Sequence, residues 1–225
     1  MAPSALPFSA GQPTPRALTG KEVATLVARF GEAARRASAA GFRVVEIHAA
    51  HGYLLHQFLS PLSNRREDAW GGSFENRTRL VREVVAAVRA EWPEPLPLLV
   101  RISATDWADG GWDAEQSVAL ARGLGALGVD LVDVSSGGLV ATAKVPAGPG
   151  YQAAFAERIR REAGVRTGAV GMITSPEQAD HAIRSGQADV VLLAREMLRD
   201  PHFPLRAARA LGQEGPWPRQ YLRAR

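Results

Sequence analysis

Between Thr19 and Arg199, short apolar runs alternate with helix-patterned segments five times over. That rhythm constrains the fold more than any other feature, because repeated βα units bury both faces only around a parallel sheet. The first helix opens on a capping box, Thr19 with Glu22; Val23, Leu26, Val27 and Phe30 form its apolar stripe, and Gly41 stops it. A strand over 44–48 follows, then a long polar loop. The next helix, over 75–92, carries Leu80, Val84, Val85 and Val88 on one face and ends at Pro93 and Pro95. The pattern continues with a strand over 96–103, a helix over 113–127 stopped by Gly128, a strand over 130–135, a helix around 155–163 and a strand over 168–172. Ser175-Pro176-Glu177-Gln178 starts a further helix, which Gly186 closes before a last strand over 189–194. A helix and a tail complete the chain.

The expected fold class is therefore α/β, a (β/α)8 TIM-barrel type that is incomplete, with about the last five βα units present. A full barrel has eight strands and typically about 250 residues, so roughly three units are expected to precede Met1. Residues 1–18, rich in Pro, Ser and Gly, read as a loop that follows a strand outside the chain. The reading is a single domain, 1–225, the C-terminal portion of a barrel, with the loop 1–18, βα units over 19–211 and a tail over 212–225.

With 225 residues, 46% of them hydrophobic, the chain can build one substantial core. It has no Cys, no apolar run of membrane-span length and no signal-peptide pattern, which points to a soluble protein of the reducing cytoplasm with no membrane partner. The net charge of +4 invites a nucleic-acid reading. Its distribution argues against one: Lys21 and Lys144 are the only lysines, and arginines such as Arg77, Arg79 and Arg82 sit among acids on helix faces.

Chemistry concentrates where the first strand ends, at His48-Ala-Ala-His51-Gly-Tyr53. Histidines three apart past a strand end can turn both rings into one pocket and donate hydrogen bonds to one substrate oxygen, with Tyr53 in reach as a proton donor. The same turn reads equally as one whose rings satisfy buried backbone carbonyls. Arg101, a cation inside the apolar run Leu98-Leu-Val-Arg-Ile-Ser103, needs a partner, either a ligand or an acid on a neighbouring strand. A metal hydrolase built on the two histidines would need further ligands on other strands, and His181 and His202 fall in helical or tail contexts, so no metal is expected.

Three motifs in order, Val45-Glu-Ile-His-Ala-Ala-His-Gly-Tyr-Leu54, Phe58-Leu-Ser-Pro-Leu-Ser-Asn-Arg-Arg-Glu-Asp68 and Trp70-Gly-Gly-Ser-Phe-Glu-Asn-Arg77, resemble the Old Yellow Enzyme family of flavin-dependent ene-reductases, in its shorter bacterial branch. The likeness runs from Ala2-Pro-Ser-Ala to Gln220-Tyr-Leu-Arg223 and lacks the family's N-terminal third. It implies an FMN-dependent oxidoreductase that takes hydride from NADPH or NADH and reduces the C=C bond of a small α,β-unsaturated carbonyl compound. It implies that His48 and His51 grip the carbonyl oxygen, that Tyr53 donates the proton and that Arg101 faces the N1/O2 edge of the flavin. Gly171, Ala194 and Arg195 match the phosphate end. Ala194 stands where the family is expected to carry Gly, which is harmless if its φ is negative. Ser135-Ser136-Gly137-Gly138 is expected to line the mouth, and Asn64, Arg66, Asp68 and Gly71-Gly72 to be a structural scaffold. Arg223 matches an arginine that reaches a neighbouring subunit's site, implying a homo-oligomer, a dimer or tetramer. The alternative is a truncated, non-catalytic barrel fragment that folds only with a partner chain or a second copy.

Overall fold

A computed structural model of the chain describes residues 1–215 and 217–224. Its centre is a sheet of five parallel strands, β1 (Val45–Ala49), β2 (Leu98–Ser103), β3 (Leu131–Ser135), β4 (Thr167–Val170) and β5 (Val190–Leu192). They lie side by side in sequence order. A doubly wound sheet would reverse direction at a switch point; strictly sequential order is that of a barrel wall. The connecting helices are α1 (Gly20–Ala39), α2 (Leu54–Leu59), α3 (Phe74–Glu91), α4 (Ala114–Ala126), α5 (Ala153–Ala163), α6 (Pro176–Arg184), α7 (Arg195–Arg199) and α8 (Phe203–Ala210).

The register explains which face does what. Ile47, Ala49, Leu98, Val100, Ile102, Val132, Val134 and Ala169 point to one side, where they join Val81, Val84, Val85, Leu120, Leu124 and Ile159 from the helices in a single core. Alternation places Glu46, His48, Arg101, Asp133, Gly168 and Val190 on the other side, the interior of a barrel wall. The face under the helices is apolar; the inner face carries the charges.

Local signals set most element ends. Thr19 caps α1 through a reciprocal capping box with Glu22, and Gly41, at φ 84°, follows its last turn. Asp113 caps α4, Ser73 caps α3, and Ser175 caps α6 with Pro176 in its first turn. The 1–18 loop closes on itself, with Ala2 N–H donating to Arg16 O and Leu18 N–H to Ala2 O.

Four sequence expectations need correction. The loop after β1 contains α2, whose Leu55, Phe58 and Leu59 are buried; tertiary burial stabilises a six-residue helix whose cap, Tyr53, makes no side-chain bond. The last helix is two, because Pro201 excludes helical geometry at Asp200, which sits at φ −133° and ψ 87°. The tail contains a 3-10 turn over Arg219–Ala224. The fourth strand stops at Val170, because Gly171 (φ 125°) and Met172 (φ 51°) leave the extended region. Among the described residues no helix is long and apolar enough to cross a membrane.

Candidate functional site

His48 is the last inward-facing residue of β1, and its register partner on β2 is Arg101. His51 stands in the turn beyond, at φ 57°, and Gly52 follows at φ 73°. Two successive left-handed residues are costly for any side chain but Gly, so this conformation must be held from outside. His51 N–H donates to Ser103 Oγ (2.9 Å), Gly52 N–H to His56 Nδ1 (2.9 Å), and Gln57 Nε2 donates to Gly52 O (2.7 Å). A Cβ on Gly52 would stand 2.2 Å from Gly138 O, which is why only Gly serves there.

This turn gathers the rings the sequence singled out. His48 and His51 have centroids 5.1 Å apart, and the Tyr53 ring, 64% exposed, lies 5.3 Å from His48. Neither imidazole is spent on a buried backbone carbonyl. Burial, then the Arg101 charge, lowers the titration of His48 below its ordinary value; the same causes, joined by His48 and His56, push His51 down to about 4. Both rings are therefore neutral near pH 7, each with one N–H.

Ser135 holds His51 at Nε2. Its hydroxyl has one hydrogen and two partners, His51 Nε2 at 2.6 Å and Gln152 Oε1 at 3.3 Å, and Ser136 Oγ already donates to Gln152 Oε1 at 2.6 Å. In the tautomer protonated on Nδ1, Nε2 accepts the Ser135 hydrogen; in the other, Nε2–H donates to Ser135 Oγ, which in turn donates to Gln152 Oε1.

Arg101 meets both of its expected partners halfway. Asp133, on β3 and wholly buried, approaches its Nε to 3.1 Å as an ion pair, but off hydrogen-bond alignment, so that this Nε and both Asp133 oxygens lack a hydrogen-bond partner. Burial first raises Asp133 to about 7, with Arg101 opposing and Glu46 reinforcing. Unsatisfied polar atoms on a guanidinium still 26% exposed leave it free to bind something else.

What Arg101 faces is a cavity of about 380 Å³, lined also by Ser135, Gly171, Ala194, Arg195 and Arg199. That size is ordinary for a cofactor or small-molecule site. Through Ser135 and Arg101 it abuts the histidine pair. Gly171, at φ 125°, leaves room on the cavity side that a Cβ could not, since it would stand 2.8 Å from the Tyr151 ring. Ala194 sits at φ −104°, so its methyl group strains nothing and its amide remains usable.

Residues 1–214 match the NADH:flavin oxidoreductase / NADH oxidase family. The chain belongs to that family. It is 52% identical over 223 residues to the NADPH dehydrogenase of Geobacillus thermodenitrificans, covering 99% of this chain and 65% of that protein. It therefore spans about 65% of the length of the curated relatives it matches. Among solved structures, a 2-naphthoyl-CoA reductase complex superposes with TM-score 0.85 at 27% identity, over 94% of this chain and 33% of that one. The Old Yellow Enzyme homologue of Zymomonas mobilis superposes with TM-score 0.76 at 29% identity, over 93% and 61%. The resemblance to Old Yellow Enzyme and the partial-barrel architecture both hold.

The scaffold reading of the long loop fits the bonds found there: Asn64 Nδ2 donates to Phe58 O and Trp70 O, and Arg66 to Leu18 O and Asp68. Arg223 lies exposed on the terminal 3-10 turn and is not part of the cavity lining. Four residues at the site escaped the sequence reading: His56, Asp106, Asp133 and Gln152. Two carried a usable signal, since Asp133 interrupts Leu131-Val-Asp-Val as Arg101 interrupts its own strand, and His56 interrupts Leu54-Leu-His-Gln-Phe-Leu59. Among the described residues no three of His, Cys, Asp and Glu come together as metal ligands would.

Proposed function

We propose that this chain carries the reacting site of an FMN-dependent NAD(P)H oxidoreductase that reduces the C=C bond of α,β-unsaturated carbonyl compounds. The observation that carries the reading is one alignment: His48 opposite Arg101, with His51 bonded to Ser135, joins an oxygen-gripping pair to a cation-lined cavity at one end of the sheet.

The residues present fit a flavin mononucleotide. Arg101, with its unsatisfied Nε, would hold the N1/O2 edge; Gly171, Ala194 and Arg195 would hold the phosphate at the ends of β4 and β5, where barrels bind such groups. When bound, the flavin supplies hydride, taken from NADPH or NADH, to the β-carbon of the enone.

The chain's own residues do the rest. His48 and His51, neutral and one N–H each, donate to the carbonyl oxygen and meet the negative charge that develops there. An imidazolium would lose its proton to that oxygen too readily; a neutral ring holds the oxygen without transferring. Tyr53 delivers the proton to the α-carbon, with water as its competitor because the ring is largely exposed. Arg223 reaches the site of a neighbouring copy in a homo-oligomer.

Purified chain mixed with FMN under anaerobic conditions should bleach on adding NADPH and recover its absorption on adding cyclohexenone. A chain that leaves the FMN spectrum unchanged and is indifferent to both additions would overturn the proposal. The second reading, a non-catalytic fragment that folds with a partner, has its own supporting observation. β1 and β5 each leave one edge unpaired, with Glu46 and Val190 exposed on the open face.

A further inference from the structure

We propose that His56 and Asp106 form a buried positioning dyad that holds the His51-Gly52 turn in its left-handed conformation by fixing one tautomer of the His56 imidazole. The inference rests on the reading of His51 as part of the oxygen grip, and adds the device that aims it.

Both side chains are completely buried. The Gly52 N–H points at His56 Nδ1 from 2.9 Å, and an amide can only donate, so Nδ1 must present its lone pair. The ring proton is then on Nε2, 2.9 Å from Asp106 Oδ1, which accepts it. Asp106 Oδ2 accepts from Ser60 Oγ (2.6 Å) and from Trp112 N–H (2.7 Å), while Asp106 N–H donates to Trp112 O (2.9 Å). Every atom of the dyad thus has one role that its partners impose. Acceptors are needed on both carboxylate oxygens, and one donor and one acceptor on the ring.

The dyad ties two separate segments of chain together. His56 lies on α2, just after the turn; Asp106 lies in the loop after β2, held against Trp112 at the start of α4. Packing alone would need neither a carboxylate nor an imidazole here. A buried apolar pair would fill the space with no charge to desolvate. What an apolar pair cannot supply is an acceptor for the Gly52 amide, the one backbone donor between His51 and α2 that has no other partner of its own.

Asp106→Asn isolates this role, because it is isosteric. Its single amide oxygen is claimed by the Ser60 and Trp112 donors, which leaves the NH2 facing His56 Nε2. That nitrogen must then accept, the ring proton moves to Nδ1, and Nδ1–H faces the Gly52 N–H donor to donor. The turn loses its hold while the volume of the core is unchanged. His56→Asn does the opposite: its Oδ1 takes the place of Nδ1 and keeps an acceptor for Gly52. His56→Phe fills the site and provides none.

The test uses the chain as it is, with 15N-labelled histidine side chains followed by NMR from pH 3.5 to 9. In the wild type, His56 should show the Nε2–H tautomer and His51 should titrate near 4, in keeping with its half-buried ring and the nearby Arg101 charge. Asp106→Asn and His56→Phe should move the His51 midpoint up by at least tenfold in proton concentration, toward the ordinary 6.5, and Asp106→Asn should show His56 as Nδ1–H; His56→Asn should restore the midpoint near 4. A merely structural role would lower the melting temperature of all three variants and leave the His51 midpoint in place, which overturns the proposal. A wild-type His56 protonated on Nδ1 overturns it without any variant, even if His56→Phe does not fold. None of these readings depends on flavin or turnover, so they separate failure of the dyad from failure of the proposed reaction.

Discussion

The two halves of the sheet are built to different standards. Every residue of β3 is buried, β2 is buried or half-buried throughout, and the turn after β1 has the amides of residues 51 and 52 bound by side chains from two other segments. At the far end, β5 has three residues, none of them buried; Val190 is exposed, and α7 buries nothing. The turn that carries His51, proposed to grip a carbonyl oxygen, is therefore fixed by the core itself, before anything binds. The end proposed to hold a phosphate has far less holding its backbone, so a bound ligand would order it at a cost taken from affinity.

The largest effect should come from the side that is built tightly. Phe58→Ala, on α2 at 0% exposure, should cost about 3–5 kcal/mol in urea unfolding, whereas Leu192→Ala on half-buried β5 should cost less than about 2 kcal/mol. Equal losses would break the contrast. His51→Ala should lower the rate of enone reduction about 10²–10³-fold with little change in melting temperature, the usual loss for one oxyanion donor. A comparable loss of stability would mean the ring serves the fold.

Proton linkage sharpens the same comparison. Asp133 titrates near 7 in the fold against 3.8 ordinarily, so its neutral form is favoured there, and the stability it contributes is complete below about pH 4 and lost as pH rises through 7. His51, depressed from 6.5 to about 4, contributes stability that is present above 6.5 and lost as pH falls through 4. Asp133→Asn should therefore stabilise the chain at pH 8 by roughly 1–3 kcal/mol relative to wild type and change little at pH 4. Thermal melts at the two pH values check it. Tyr53→Phe should slow enone reduction no more than about tenfold, since water reaches so exposed a ring position. Ala194→Gly, where φ is already negative, should change FMN affinity less than about twofold in a fluorescence titration.

Much of this could be read in the sequence, for identifiable reasons. Capping boxes and helix stops are local, so Thr19, Ser175 and Gly41 marked their elements directly. The His48, His51 and Tyr53 cluster lay within six residues, and its motif carried the family. α2 stayed hidden because its stability comes from burial of Leu55, Phe58 and Leu59, a tertiary property. Asp106, 50 positions from His56, could not be paired with it by any local rule. Asp133 was open to the argument applied to Arg101, a charge in an apolar strand, and the register then placed the two side by side.

We propose above all that Arg101 and the neighbouring cavity form a flavin site beside a preorganised oxygen grip. Quenching of FMN fluorescence by the purified chain tests it directly. Binding should be saturable, and Arg101→Ala should weaken it at least about tenfold, as loss of a charge-assisted hydrogen bond should. Absent binding, or identical affinity for wild type and Arg101→Ala, would contradict it.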